Sequence, residues 1–309
     1  MSATWPDIAY DQWRETCSAL HLYSQVVGKY RLARTPWVNH SWHATFYVNA
    51  RGLTTSLVPD GPGGIEISFD LLDHAVIGAA SDGRRAEFPL APMSVADFHA
   101  QFLGLVRSLG GTPRFHGQPN EVPDPVPFVD DRTSRPYDAA AVTRFFQALV
   151  AVDRALELFR TGYIGKVSPV HLFWGSFDLA VTRFSGRRAP LHPGAPGLPD
   201  SVTRDAYSHE VSSAGFWPGQ GLGFPAFYSY AYPAPGGFAD AHAEPAAAYF
   251  DKSLGEFILP YDAMRRASDP EAMLMSFLES TYGAAADLGG WDRAALECSR
   301  GVPGRPRPL

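Results

Sequence analysis

The stretch GKVSPVHLFWGSFDLAVTRFSGR, residues 165–187, decides the reading of the fold. A Gly-Lys pair opens it, and from His171 to Phe184 it is rich in aromatic and β-branched residues, as a strand is. Alternation sets His171, Phe173, Gly175 and Phe177 on one face and Leu172, Trp174, Ser176 and Asp178 on the other. His171 and Asp178 then face apart, unless Gly175 makes a bulge.

Working outward, the preceding residues 138–161 carry Phe145, Leu149, Val152, Leu156 and Phe159 on one helical face. The same order occurs earlier in the chain. Residues 7–27 read as a helix on Trp13, Cys17, Leu20 and Val27, stopped by Gly28. Gly28-Lys29 is followed by a Trp-containing strand, NHSWHATFYVNARGL (39–53), with Arg51-Gly52 as a turn. Strands are expected at 65–72, 74–80 and 85–90, with Asp82-Gly83 as a hairpin turn, then a helix at 94–109 capped by Ser94 and Asp97. The later half closes likewise, on the strand EFILPY (256–261) and a helix opened by a Ser268–Glu271 capping box.

The expected class is therefore α+β: two similar helix–antiparallel sheet–helix halves, arisen by internal duplication and packed as a pseudo-dimer. The expected boundaries are 1–110 for the first half, 111–137 for a connector, 138–298 for a larger second half and 299–309 for a flexible tail. The connector is set off by Pro113, Pro119, Pro123, Pro125, Pro127 and Pro136. The second half is enlarged by RAPLHPGAPGLPD (188–200) and by an aromatic stretch at 207–233.

Composition bounds the function. The 309 residues are 13% aromatic and 19% charged, which excludes a disordered chain. A load of 29 Gly and 27 Pro excludes a coiled coil. The net charge of −6 argues against a nucleic-acid partner. No apolar run reaches the roughly 18 residues of a membrane span. The N-terminal MSATWPDIAYDQWRE lacks the pattern of a secretory signal, so the cytoplasm is the expected location. Cys17 and Cys298 are read as two reduced, packed thiols.

No phosphate loop, dinucleotide fingerprint, nucleophile elbow or zincin motif occurs, so no nucleotide cofactor is expected. What remains is polar residues set among apolar ones. Asp178 is the one acid in SFDLAV, where a carboxylate is costly unless paired, and Arg183 is a possible partner. His209-Glu210 lies in the aromatic segment YSHEVSSAGFWPG. Only three of the 26 basic residues are Lys, and two of these, Lys29 and Lys166, follow Gly at the matched positions. Each is either a cation at a helix C-terminus or, for Lys166, a binder of an anionic group or a tuned base. Tyr228, Tyr230 and Tyr232 alternate onto one strand face, which is either a wet edge or a pocket wall.

The strings at 165–187, AYSHEVSSAGFWPG (206–219) and RGLTTSLVP (51–59) resemble an uncharacterised bacterial and fungal family, domain-of-unknown-function family 5996, from Trp5 to about Glu297. That resemblance implies no activity, cofactor or fold.

The residues themselves carry three expectations. The first is a metal-dependent oxidoreductase or hydrolase/lyase, holding non-haem Fe(II) or Zn(II), that acts on a small organic molecule in an aromatic-lined pocket. Its ligands are His171, His209 and Glu210. Lys166, Glu210 and Asp178 are catalytic candidates. Trp174, Arg183, Trp217, Tyr228, Tyr230 and His43 are candidates for substrate contact. The second is a metal-free acid–base enzyme using Lys166, His209 and Glu210 on an anionic substrate. The third is a small-ligand-binding module without catalysis.

Overall fold

Two antiparallel sheets meet edge to edge, with helices covering them. The structure, a computed structural model, describes residues 5–307. Helix α1 spans Arg14–Arg34 and is followed by a meander of β1 (Tyr47–Asn49), β2 (Gly52–Asp60), β3 (Gly63–Asp70), β4 (Ala75–Ala80) and β5 (Arg85–Pro89), paired in that order. Helix α2 (Val95–Ser108) closes this half. Its N-terminus is capped as the Ser94–Asp97 spacing predicts, with the Ser94 hydroxyl accepting from the Asp97 N–H.

The connector has no long element, and helix α3 (Ala139–Thr161) follows it. Next come β6 (His171–Phe173), β7 (Asp178–Arg188), α4 (Asp200–Ala206), β8 (His209–Trp217), β9 (Ala226–Tyr232), β10 (Tyr249–Asp251) and β11 (Glu256–Pro260). The second sheet runs β6-β7-β8-β9-β11-β10. Helices α5 (Tyr261–Arg265), α6 (Pro270–Leu288) and α7 (Arg293–Leu296) complete the chain. The class is α+β. Among the described residues no helix is long and apolar enough to cross a membrane.

The sheets touch through one bridge. Phe46 and Leu172 exchange backbone hydrogen bonds of 2.9 and 2.8 Å, which brings the β1 edge beside β6. The main buried cluster runs through both halves, from Trp13 and Phe98 to Phe216 and Leu278. Every apolar residue read onto the face of α3 is buried, so its 3.6-residue period reports a real core face.

Four sequence expectations need correction. Helix α1 starts at Arg14 and continues past Gly28 to Arg34, so Gly28-Lys29 lies inside a helix, whereas Gly165-Lys166 lies in a loop after α3. The two pairs are not equivalent positions, and neither lysine closes a helix. Gly28 serves a close approach instead: a Cβ there would strike the Trp174 indole. Residues 39–46 are not strand. Asn39–Ser41 forms a 3-10 turn, with His40 and Ser41 at φ of 61° and 59°. HLFWGSFDLAVTRF is not one strand but a hairpin that turns at residues 174–177, with Phe177 at φ 57°. The cap of α6 is Asp269 rather than Ser268, its carboxylate accepting from the Ala272 N–H.

Candidate functional site

The hairpin sets the site. Because the chain turns between Phe173 and Asp178, these two residues pair across the strands, and His171 pairs with Ala180. Paired residues share a sheet face, so His171 and Asp178 lie on the same side. The register extends this face across the sheet. Thr182 pairs with Ser213 and Ser213 with Tyr230; Ala180 pairs with Gly215 and Gly215 with Tyr228. The opposite face sends Leu179, Val181, Phe216, Phe227 and Leu259 into the core beneath α3 and α6.

The first face forms one wall of a cavity of about 720 Å³. Asp178, Thr182, Ser213, Trp217, Tyr228, Tyr230 and Glu256 line that wall. Lys29 of α1, the His40–Trp42 turn, Asn120-Glu121 of the connector and the 197–202 loop form the other walls. A second hollow of about 630 Å³ shares Glu121, Ser176 and Trp217 with it.

Three carboxyls belong to the cavity, and no two come from the same part of the chain. Asp178 is 4% exposed and accepts hydrogen bonds from the Ser176 and Tyr228 hydroxyls. Burial raises its pKa, and those two hydrogen bonds oppose the rise. Glu256 opens β11 and is partly buried; its Oε2 is shut off from solvent without a hydrogen-bond partner. Burial, then the charges of Asp178 and Asp251, push its pKa up to about 8. Glu121 stands in the connector at φ 57°, its carboxylate over Gly175, where a Cβ would collide with it. Its surface is accessible, but it sits in a cavity walled by protein. Burial and then Asp178 push it up to about 7, against the pull of Lys29.

Three phenols stand among these acids. Tyr228 stacks under Trp217 at 4.3 Å and lies 6.1 Å from Tyr230. The Tyr207 and Tyr230 hydroxyls are 2.9 Å apart. The Tyr207 phenol is pushed up to about 12, first by burial and also by the charges of Glu256, Asp178 and Glu121, so it stays protonated and can donate. The row of tyrosines therefore lines the cavity in Tyr228 and Tyr230, whereas the Tyr232 hydroxyl bonds to the Pro190 carbonyl.

Helix α1 holds the connector and the hairpin turn in place with residues four apart. The His21 Nε2 meets the Gly175 carbonyl at 2.9 Å. Gln25 donates to the Asn120 carbonyl at 2.8 Å and accepts from the Asn120 N–H at 2.7 Å. Lys29 donates to the Asn120 side chain and stands 5.6 Å from the centre of the Trp174 ring. Burial lowers Lys29 to about 8, and Glu121 opposes this. One helix stripe thus fixes both Glu121 and the turn that precedes Asp178. Trp174 locks the same corner: its indole N–H donates to the Ala44 carbonyl at 2.6 Å.

The far end of the cavity is basic. The Lys166 Nζ lies 2.6 Å from His40 Nε2, and His40 Nδ1 lies 2.9 Å from the Ala206 carbonyl. The imidazole therefore donates from Nδ1 and accepts from the lysine at Nε2. Lys166 also sits 4.7 Å from the Phe184 ring centre and 5.3 Å from that of Trp42. Burial lowers both His40 and Lys166.

Of the residues singled out from sequence, Asp178, Trp174, Trp217, Tyr228 and Tyr230 line the cavity. Lys166 is behind His40, and the His209 ring is 6.0 Å from that of His40. Glu210 bonds the Ser185 hydroxyl at 2.7 Å and Arg187 at 2.8 Å. His43 packs beneath Trp37 at 4.5 Å, with its Nδ1 on the backbone of Val38. Arg183 is on the opposite sheet face from Asp178 and is not its partner. It is 1% exposed, lies 3.5 Å from the Phe159 ring centre and 4.3 Å from that of Tyr282, and donates to the Phe159 carbonyl at the end of α3. His171 is fully buried beside Phe173 and Trp42, and burial lowers its pKa to about 4. His171, His209 and Glu210 are not gathered as ligands. Among the described residues no three His, Cys, Asp or Glu side chains are placed to hold one ion.

Glu121, Glu256, Tyr207, His40 and the cavity role of Lys29 were not read from sequence. Only one signal pointed to any of them: extending the Tyr228–Tyr230 face to the next strand reaches the start of EFILPY.

A fold of two abutting antiparallel sheets with an acid- and phenol-lined cavity on one of them defines the class of protein. The chain belongs to the family of unknown function DUF5996, whose model matches residues 5–298. No curated protein and no solved structure matches it.

Proposed function

We propose that the cavity is the active site of an enzyme that performs acid–base chemistry on a small organic molecule with its own side chains. The observation that carries this reading is the set of Glu121, Asp178 and Glu256, three carboxyls from distant segments meeting in one aromatic-lined cavity. Burial raises all three, and proton donors and acceptors work best when they titrate near neutrality. In the free protein Glu256, at about 8, is mostly protonated at pH 7, and Glu121, at about 7, is half ionised and can either give or take a proton. The protonated phenol of Tyr207 can donate to an oxygen that gains negative charge.

The test is to follow a mixture of small metabolites by NMR with the purified protein in excess chelator. One compound should be consumed, and Glu121→Gln should slow that consumption at least about 100-fold. Unchanged turnover in both Glu121→Gln and Glu256→Gln would overturn the reading. A compound that binds the cavity and is never converted would leave a binding module.

The halves fit a duplicated unit packed as a pseudo-dimer. In the first sheet β1 to β5 step away from the β1–β6 junction in chain order, and in the second β6 to β9 do so before β11 pairs with β9 inside the edge strand β10; α2 follows the first sheet, and α5 and α6 follow the second. In this view only the second sheet, enlarged by α4 and the aromatic hairpin β8–β9, kept a cavity. The two unpaired cysteines support a reducing compartment, the cytoplasm.

A further inference from the structure

The acids of the cavity lack counter-ions. Among the described residues no Lys, Arg or His nitrogen lies within ion-pairing distance of Glu121, Asp178 or Glu256, although sixteen ion pairs occur elsewhere, such as Arg187–Glu210 and Arg265–Asp7. Lys29 opposes the charge of Glu121 alone; nothing positive acts on Asp178 or Glu256. A buried carboxylate without a cation is costly, and Asp178 is buried. The Glu256 Oε2 also has no hydrogen-bond donor.

The chemistry of the walls selects what fills this gap. The acids are not arranged to share one metal ion. The strand register sets Asp178 next to Trp217 and Glu256 next to Tyr230, with the Tyr228 ring between them, and the faces of such rings attract positive charge. Space of about 720 Å³ suits an organic molecule rather than a bare ion. We propose that the substrate is an organic ammonium compound, its cationic nitrogen seated in the cavity facing Glu256 and Asp178 and against the ring row Trp217–Tyr228–Tyr230. The inference rests on the cavity being the working site and names the class of molecule it takes.

Calorimetry with a charge series on the whole protein tests it: choline and phenethylammonium, against 3,3-dimethylbutan-1-ol, the neutral carbon counterpart of choline, and benzoate. The ammonium compounds should bind at least about tenfold more tightly than the neutral alcohol, with benzoate weakest. Glu256→Gln should shrink that preference, and Trp217→Ala should weaken binding of the ammonium compounds. The series in the wild type needs no variant to fold. Equal or tighter binding of the alcohol or benzoate, lost in Trp217→Ala, would overturn the ammonium assignment and leave the cavity as the working site. Failure of every member to bind would also overturn it, while turnover in the metabolite mixture would still stand or fall on its own.

Discussion

Replacing Glu256 by Gln should make the free protein more stable at pH 8 and change it little at pH 5. In the folded state the Glu256 carboxyl titrates at about 8, raised from 4.5 by burial and by the charges of Asp178 and Asp251. A raised carboxyl pKa means that the ionised form is worse off folded than unfolded. The resulting loss begins as pH passes the unfolded value and is complete above the folded one. From these values, the penalty is about 1 kcal/mol at pH 5, about 3 at pH 7 and about 4 at pH 8. Gln keeps the shape and cannot ionise, so it escapes that penalty. For a chain of this size 1 kcal/mol moves the melting temperature by roughly 2 °C, so the gain of the variant should grow by about 6 °C between pH 5 and pH 8. Scanning calorimetry of both proteins at the two pH values measures it. A gain that does not change with pH, or a variant less stable at pH 8, would refute the claim that Glu256 is a cavity acid held against its preference. Stability given up at one residue is what a working site looks like.

Three further outcomes follow from the geometry. Gly28→Val should cost about 1–3 kcal/mol in denaturant unfolding, because the added carbons meet the Trp174 indole, which is pinned to Ala44. Arg183→Met should destabilise the fold by about 1–3 kcal/mol through loss of its bond to the Phe159 carbonyl at the end of α3, yet leave choline affinity unchanged, since it lies on the other sheet face. Choline binding at pH 7 should release about one proton, as the cation draws Glu256 to its ionised form; calorimetry in two buffers of different ionisation enthalpy reads the number, and no release would contradict Glu256 as its partner.

Sequence periodicity made the scaffold legible where each element has one wet and one dry side. Phe145 to Phe159 marked α3, and the alternation at 65–90 marked the first meander. It failed where a tertiary contact overrode the local signal. Gly28 looks like a helix stop, but it is there to admit Trp174. The residues WGSF look like strand because they stay apolar through a buried turn, and that error put His171 and Asp178 on opposite faces.

The site was legible in part. Asp178 stood out as a lone acid in an apolar run, and Tyr228 and Tyr230 as phenols on one face, because burial of such groups is costly wherever they lie. Glu121 and Glu256 were hidden, since what unites them with Asp178 is strand order and the path of the connector, and neither is written in local periodicity. The matched lysines misled in the opposite way: Lys29 and Lys166 share a Gly-Lys dipeptide and little else, one on the cavity wall at Asn120 and the other behind His40.

The most direct measurement is a crystal structure of the protein grown with choline. The expected result is a bound molecule in the cavity, its quaternary nitrogen over Trp217 or Tyr230 and facing Glu256 and Asp178. Choline bound anywhere else, with only water between those residues, would contradict the assignment of this cavity to an ammonium substrate.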